Sequence, residues 1–166
     1  MSEKEDRVLE QVLLGNQSAI HLARLYAHIS HTFDDLVDND QEVTTNDIYD
    51  VLRLLLVDIH YNEFWQQYSG ELLPLVATGL RNWIASNDIE KNQDVNLMHV
   101  SMIKKSAATE IILHMAEILG GPTHVRNVAP MVYRHVFDET YEEYLEEHGV
   151  TDELYQEAEE AAGHGV

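Results

Sequence analysis

The sequence predicts an all-α protein, a compact helical bundle of about six to seven helices. Helix punctuation recurs along the chain: capping residues precede apolar-periodic segments, and glycine or proline follows them. Strand signals are missing, with no sustained period-2 alternation and no Asn-Gly or Asp-Gly hairpin. The length, 166 residues with 45% hydrophobic content, suits one ordinary domain with its own core. No repeat and no linker interrupts it, so residues 1–166 read as a single helical domain.

The elements follow in order. Ser2-x-x-Glu5 is a capping box that opens a first helix, which Gly15 ends. Asn16 caps a second helix from about Gln17 to Asn39. Thr44 to Asn46 opens a third, ending near Ser69-Gly70, and Pro74 lies in the first turn of a fourth that runs to about Ser86. Asn87 to Asp94 reads as a polar loop. A fifth helix covers Val95 to Leu119 and is stopped by Gly120-Gly121-Pro122. A sixth covers Thr123 to Glu147, kinked near Pro130, and a short acidic helix from Asp152 closes the chain.

Composition narrows the function classes. There are no cysteines, which excludes disulfides and thiolate metal sites and suits a reducing cytoplasm. The polar N-terminus is no signal peptide, and no apolar run reaches the roughly 20 residues of a membrane span. With 30 Asp+Glu against 10 Lys+Arg, the net charge is −20. Such a surface repels phosphates, which argues against direct nucleic-acid binding. The acidity has three readings: solubility alone, attraction of divalent cations, or imitation of DNA before a basic protein partner. Ten histidines are the second compositional oddity.

The second helix carries the chemical signal. At about 100° per residue, Leu22, Leu25, Tyr26, Ile29, Phe33, Leu36 and Val37 share one face. His21, Arg24, His28, His31, Asp35 and Asp38 share the other. A merely solvated face favours Glu, Lys, Gln and Ala, whereas histidine and aspartate are mediocre helix formers. His31 and Asp35 are four apart, as are Asp34 and Asp38, and such pairs can converge on one ion. Carboxylates suit Mg²⁺, while imidazoles suit Zn, Fe or Mn.

Further candidates lie on the neighbouring helices. The run from Val51 to Val57 is nearly apolar all round and should be buried. Asp58 follows it and would need a partner or a metal there. The fifth helix, apolar around most of its girth, should be central; His99, Ser106, Glu110 and Glu117 form its polar stripe, with His114 at the edge. That stripe either lines a cavity or marks a strip of solvent. Asp47 and Asp50 sit in a first turn, where the helix dipole accommodates acids without any further role.

The segment around Asp34-Asp35-Leu36-Val37-Asp38 resembles the first aspartate-rich helix of class I isoprenoid synthases, whose motif is DDxxD. The resemblance covers about 15 residues. It implies that Asp34, Asp35 and Asp38 bind a divalent metal, Mg²⁺ before Mn²⁺ or Zn²⁺, which grips a substrate diphosphate. Asp58, Glu110 and His114 would complete that metal site, His28 and His31 would be ligands or acid/base groups, and Arg24 would steady a phosphate. A second acidic motif, expected late in the chain, has Asp138 to Glu142 as its candidate, although those residues fall on the outer face of their helix. DDxxD followed by Asp47-x-x-Asp50 is also similar to the carboxylate pattern of the all-α nucleotide pyrophosphatases.

Two functions therefore stand against each other. One is a divalent-metal-dependent enzyme acting on a diphosphate-containing substrate, whose site a homodimer would complete. The other is a non-enzymatic acidic interaction protein, a DNA mimic or an assembly subunit. The first predicts Asp35, Asp38, His28 and His31 converging on a concave pocket with some of Asp58, Glu110 and His114; the second predicts carboxylates spread over an elongated surface.

Overall fold

A computed structural model describes residues 3–38, 41–106, 108–137 and 140–151, with side chains from Glu5 onward. Every regular element among the described residues is helical, as expected. They are α1 (Glu3–Val12), α2 (Gln17–Asp38), α3 (Thr45–Arg53), a π turn (Leu54–Asp58), α4 (Ile59–Tyr61), α5 (Glu63–Asn92), α6 (Met98–Lys105), α7 (Ala108–Val136) and α8 (Tyr141–Glu147). No helix among them is long and apolar enough to cross a membrane.

The chain divides into two compact units. The first comprises Met1–Val76 and Ala108–Tyr133, the second Ala77–Ala107 and Arg134–Val166. In the first unit the core holds Val12, Leu13, Ile20, Leu22, Phe64, Leu72 and Met115, all fully buried or nearly so. Asn16 caps α2 as its sequence implies: the side-chain oxygen accepts the Ala19 backbone N–H at 3.0 Å. Gly15 closes the preceding turn at φ +69°, a conformation that suits glycine. The first turns of α7 are central in this unit, burying Thr109, Ile111, Leu113, Met115 and Ala116. The second unit has a smaller core of Val95, Met98, Tyr144 and Val150.

Three boundaries differ from the sequence reading. The third helix breaks at Asn62 rather than at Gly70. Asn62 leaves helical geometry at ψ 124°, and its buried side chain accepts the Trp65 N–H at 3.0 Å while donating to the Ser18 carbonyl at 2.8 Å. The new helix then runs from Glu63 to Asn92 through Gly70, Pro74 and the expected polar loop. Pro74 is exposed inside α5, so its ring projects to the surface. The fifth helix divides at Ser106, whose ψ of 31° interrupts the ladder between α6 and α7. The sixth stops at Val136, and Thr140 opens α8 with a full capping box to Glu143.

The stop at Gly120-Gly121-Pro122 is real in a modified form. Gly121 has φ 73° and ψ 178°, a kink within α7. A Cβ on Gly120 would come within 2.6 Å of the His124 side chain, so only glycine fits beside that ring. The acidic helix expected from Asp152, and Asp138 and Glu139, lie outside the described residues.

The apolar run after Val51 was expected to be buried and is not. Only Val51 and Ile59 are, while Leu56 is 69% exposed and Tyr61 78%. The reason lies in the backbone. The π turn shifts helical phase, with the Ile59 N–H reaching the Leu54 carbonyl five residues back, so a uniform apolar sequence no longer presents one inward face.

Candidate functional site

In the first unit, α2 and the α3–π segment form an open groove of about 350 Å³. From α2 it takes His21, Arg24 and His28, spaced three and four residues apart on one face, with the buried Leu25 at their edge. From the facing segment it takes Asp50, Arg53, Leu54 and Asp58. The π turn decides the last of these. An i→i+5 turn holds one residue more than an α turn, which brings Asp58 into line with Arg53.

Both arginines are partly engaged. The Arg24 guanidinium donates to the Asp6 carboxylate at 2.7 Å, with both side chains more than a third exposed. Arg53 Nε lies 3.4 Å from Asp58 Oδ2, an i,i+5 pair that the π turn permits. Screened pairs of this kind exchange readily, because they contribute about 0–1 kcal/mol each. At the start of α3, hydrogen bonds from the Thr44 hydroxyl and backbone hold the exposed Asp47 carboxyl below its ordinary range, and the charge of His28 acts in the same sense.

The residues singled out in the sequence separate into groups. Arg24, His28 and Asp58 come together in the groove. His31, Asp34, Asp35 and Asp38 continue along α2 beyond its lining; His31 and Asp38 are exposed, Asp34 and Asp35 half-buried. Glu110 and His114 stand elsewhere in the unit, on α7. Glu110 is exposed and accepts the Tyr133 hydroxyl at 3.1 Å. His114 lies 3.8 Å from both Glu71 and Glu117. Among the described residues, no three His, Asp or Glu side chains are grouped so as to hold a metal ion.

His21, Asp50 and Arg53 join the groove without having been named as site residues. Asp50 has a sufficient explanation in the helix dipole, and Arg53 falls inside the nearly apolar run from Val51 to Val57. Their spacing was the available signal: 50, 53, 54 and 58 follow i, i+3, i+4, i+8 and 21, 24, 25 and 28 follow i, i+3, i+4, i+7, each a single stripe. The groove gathers two of the ten Lys+Arg side chains and two of the ten histidines of a chain with net charge −20. Two carboxylates balance the two guanidiniums, so the lining is neutral with both imidazoles uncharged and positive with either one protonated.

The chain matches no family model, no curated protein and no solved structure.

Proposed function

We propose that the α2–α3 groove binds a small phosphate-bearing anion and that the protein is a divalent-metal-dependent enzyme acting on a diphosphate-containing substrate. The observation that carries this reading is the meeting of Arg24 and Arg53 with His21 and His28 in one concavity of an otherwise strongly acidic chain. Small-ligand pockets span about 300–1,000 Å³, and the groove falls at the lower end. Guanidiniums suit phosphate oxygens because their planar fork donates two bonds at once.

A cation follows from the charge count. Asp50 and Asp58 face the same space and would repel a diphosphate unless an ion bridged them. Mg²⁺ typically takes only one or two protein carboxylates and completes its shell with phosphate oxygens and water, so a preformed three-residue cluster is not required. The DDxxD carboxylates lie further on, about 10 Å (Asp35) to 15 Å (Asp38) beyond His28 along the helix. In this reading they carry an ion only for a substrate long enough to reach them. His28 is the group placed to move a proton at the ligand. A cysteine-free chain suits the reducing cytoplasm, where we place this activity.

Calorimetric titration with inorganic pyrophosphate, with and without Mg²⁺, Mn²⁺ or Zn²⁺, tests the proposal. The expected result is pyrophosphate binding that strengthens with Mg²⁺ and weakens by about tenfold or more in Arg24→Ala and Arg53→Ala. No binding under any of these conditions overturns the anion site. Binding indifferent to the metal overturns the metal dependence alone. A loss in Asp35→Asn would extend the metal site to the DDxxD group.

A second reading, an assembly subunit, rests on a different observation. Tyr49, Leu56 and Tyr61 are 64%, 69% and 78% exposed on or beside α3, and large exposed apolar side chains mark interaction surfaces when they cluster. A homodimer or a basic protein partner would cover them, and light scattering of the isolated protein distinguishes the two.

A further inference from the structure

The second unit contains a buried cluster of titratable groups that the groove chemistry does not use. Glu90 of α5 is its centre, with a side chain only 5% exposed. One carboxylate oxygen accepts the Tyr144 hydroxyl at 2.6 Å and the Ser101 hydroxyl at 3.0 Å. The other accepts Lys105 Nζ at 3.1 Å and has His148 Nε2 at 3.6 Å. Ser101 and Lys105 come from α6, Tyr144 from α8, and His148 follows α8 directly.

The geometry fixes the protonation of His148. Its Nδ1 lies 2.9 Å from the Tyr144 carbonyl oxygen, which can only accept, so Nδ1 carries a hydrogen. A neutral ring in that tautomer would turn the Nε2 lone pair toward the Glu90 carboxylate, and two acceptors would face each other. A proton on Nε2 converts that repulsion into an ion pair. The Tyr144 ring lies 4.4 Å from the imidazole, centroid to centroid, and a cationic ring is favoured there as well.

We infer that His148 is an imidazolium latch, holding α8 against α5 and α6 while protonated and releasing it when the proton leaves. The groups that face it are Glu90 from α5, Lys105 from α6 and Tyr144 from α8. Glu90 favours the charged ring and Lys105 opposes it. Contact with Glu90 outweighs burial, so the imidazole is held above its ordinary value. Deprotonation leaves Glu90 with Lys105 as its remaining cation and removes the attraction that tethers the end of α8. Gln93, whose side chain donates to the His148 carbonyl at 2.9 Å, is then a neutral bond at that end, and it opens as α8 leaves. The apolar surfaces of Tyr144 and Val150 leave the small core as α8 departs.

The test uses the full chain, with NMR detection of the histidine ring nitrogens and of amide exchange in α8. Both His148 ring nitrogens should be protonated at neutral pH. Corrected for intrinsic exchange rates, α8 protection should fall as pH rises from the ordinary histidine value through the raised one, by about tenfold for each pH unit between the two. In His148→Gln the protection should be low and flat with pH. Glu90→Gln should return the imidazole to its ordinary titration; if that variant fails to fold, the wild-type titration and His148→Gln decide alone. A His148 that titrates at or below its ordinary value, or α8 protection that stays constant across the range, overturns the inference.

Discussion

The α2–α3 groove and the Glu90 cluster are built from the same residue types, a carboxylate, an imidazole and a basic side chain, yet they do opposite things. In the groove the ion pairs are exposed and singly bonded: Arg24 to Asp6, Arg53 to Asp58. In the cluster one carboxylate with 5% exposure receives four groups. Water competes in the first and is excluded from the second. The groove's charges are therefore available to a ligand, whereas those of the cluster are committed to one another. Residue identity does not separate a binding surface from a structural lock; burial and the number of partners do.

The largest effect that would break this contrast is expected at Glu90. Glu90→Ala leaves Lys105 and His148 without their carboxylate and should destabilise the folded chain by about 3–5 kcal/mol, measured by urea unfolding. A loss below about 1 kcal/mol would mean that the cluster behaves like an exposed pair.

The pH dependence comes next. Burial alone would raise Glu90, but contacts from His148 and Tyr144 and the Lys105 charge hold it at about 2. A lowered carboxylate contributes stability above its ordinary value and loses it as pH falls toward the folded value. His148, held high, contributes fully below its ordinary value and loses that as pH rises through the raised one. Stability from the cluster should thus be greatest between the two ordinary values, 4.5 for Glu and 6.5 for His. Unfolding free energies across the acid and alkaline limbs check both signs.

Asn62 lies between the extremes, buried and doubly bonded but uncharged. Asn62→Ala should cost about 1–2 kcal/mol of stability in the same unfolding assay. Arg24→Ala should be the mildest for the fold, within about 1 kcal/mol, because its partner is solvated. Under the proposed function its effect falls on the ligand: loss of a charge-assisted bond of about 1.5–3 kcal/mol is expected to weaken pyrophosphate binding by about tenfold or more. An Arg24→Ala variant that unfolds readily but binds normally would reverse the assignment of the two regions.

Much of the helical pattern was legible because its signals are local. Asn16 and Gly15 state where α2 begins, and the wheel of α2 separates Leu22, Tyr26 and Ile29 from His21 and His28, but it fails in the last turns, where Phe33, Leu36 and Val37 are exposed and Asp34 and Asp35 half-buried. The Thr140-x-x-Glu143 box was equally local and went unread, since the acidic residues around it looked like the outer face of one long helix. The break at Asn62 was hidden for another reason. Its cap is secured by the Ser18 carbonyl, 44 positions away, and no window of sequence contains both. The groove was half legible: the α2 stripe announced itself by residue type, but the pairing of Asp58 with Arg53 depends on a change of helical phase inside LLLVD, which no residue there signals. The Glu90 cluster joins residues up to 58 positions apart and presents no pattern along the chain.

That change of phase has a consequence for how the groove can be altered. The π turn contains a single surplus residue, so it can be cancelled by a single deletion. Removing Val57 would give a regular helix of ordinary pitch, and every helix signal in the segment would improve. Asp58 would then stand four residues after Arg53 instead of five, and the ion pair would persist as an ordinary i,i+4 pair. The groove's acidic wall therefore tolerates either chain length, because the π turn absorbs the surplus residue. A deletion of one residue there would remove the bulge while every side chain that lines the groove stays in place.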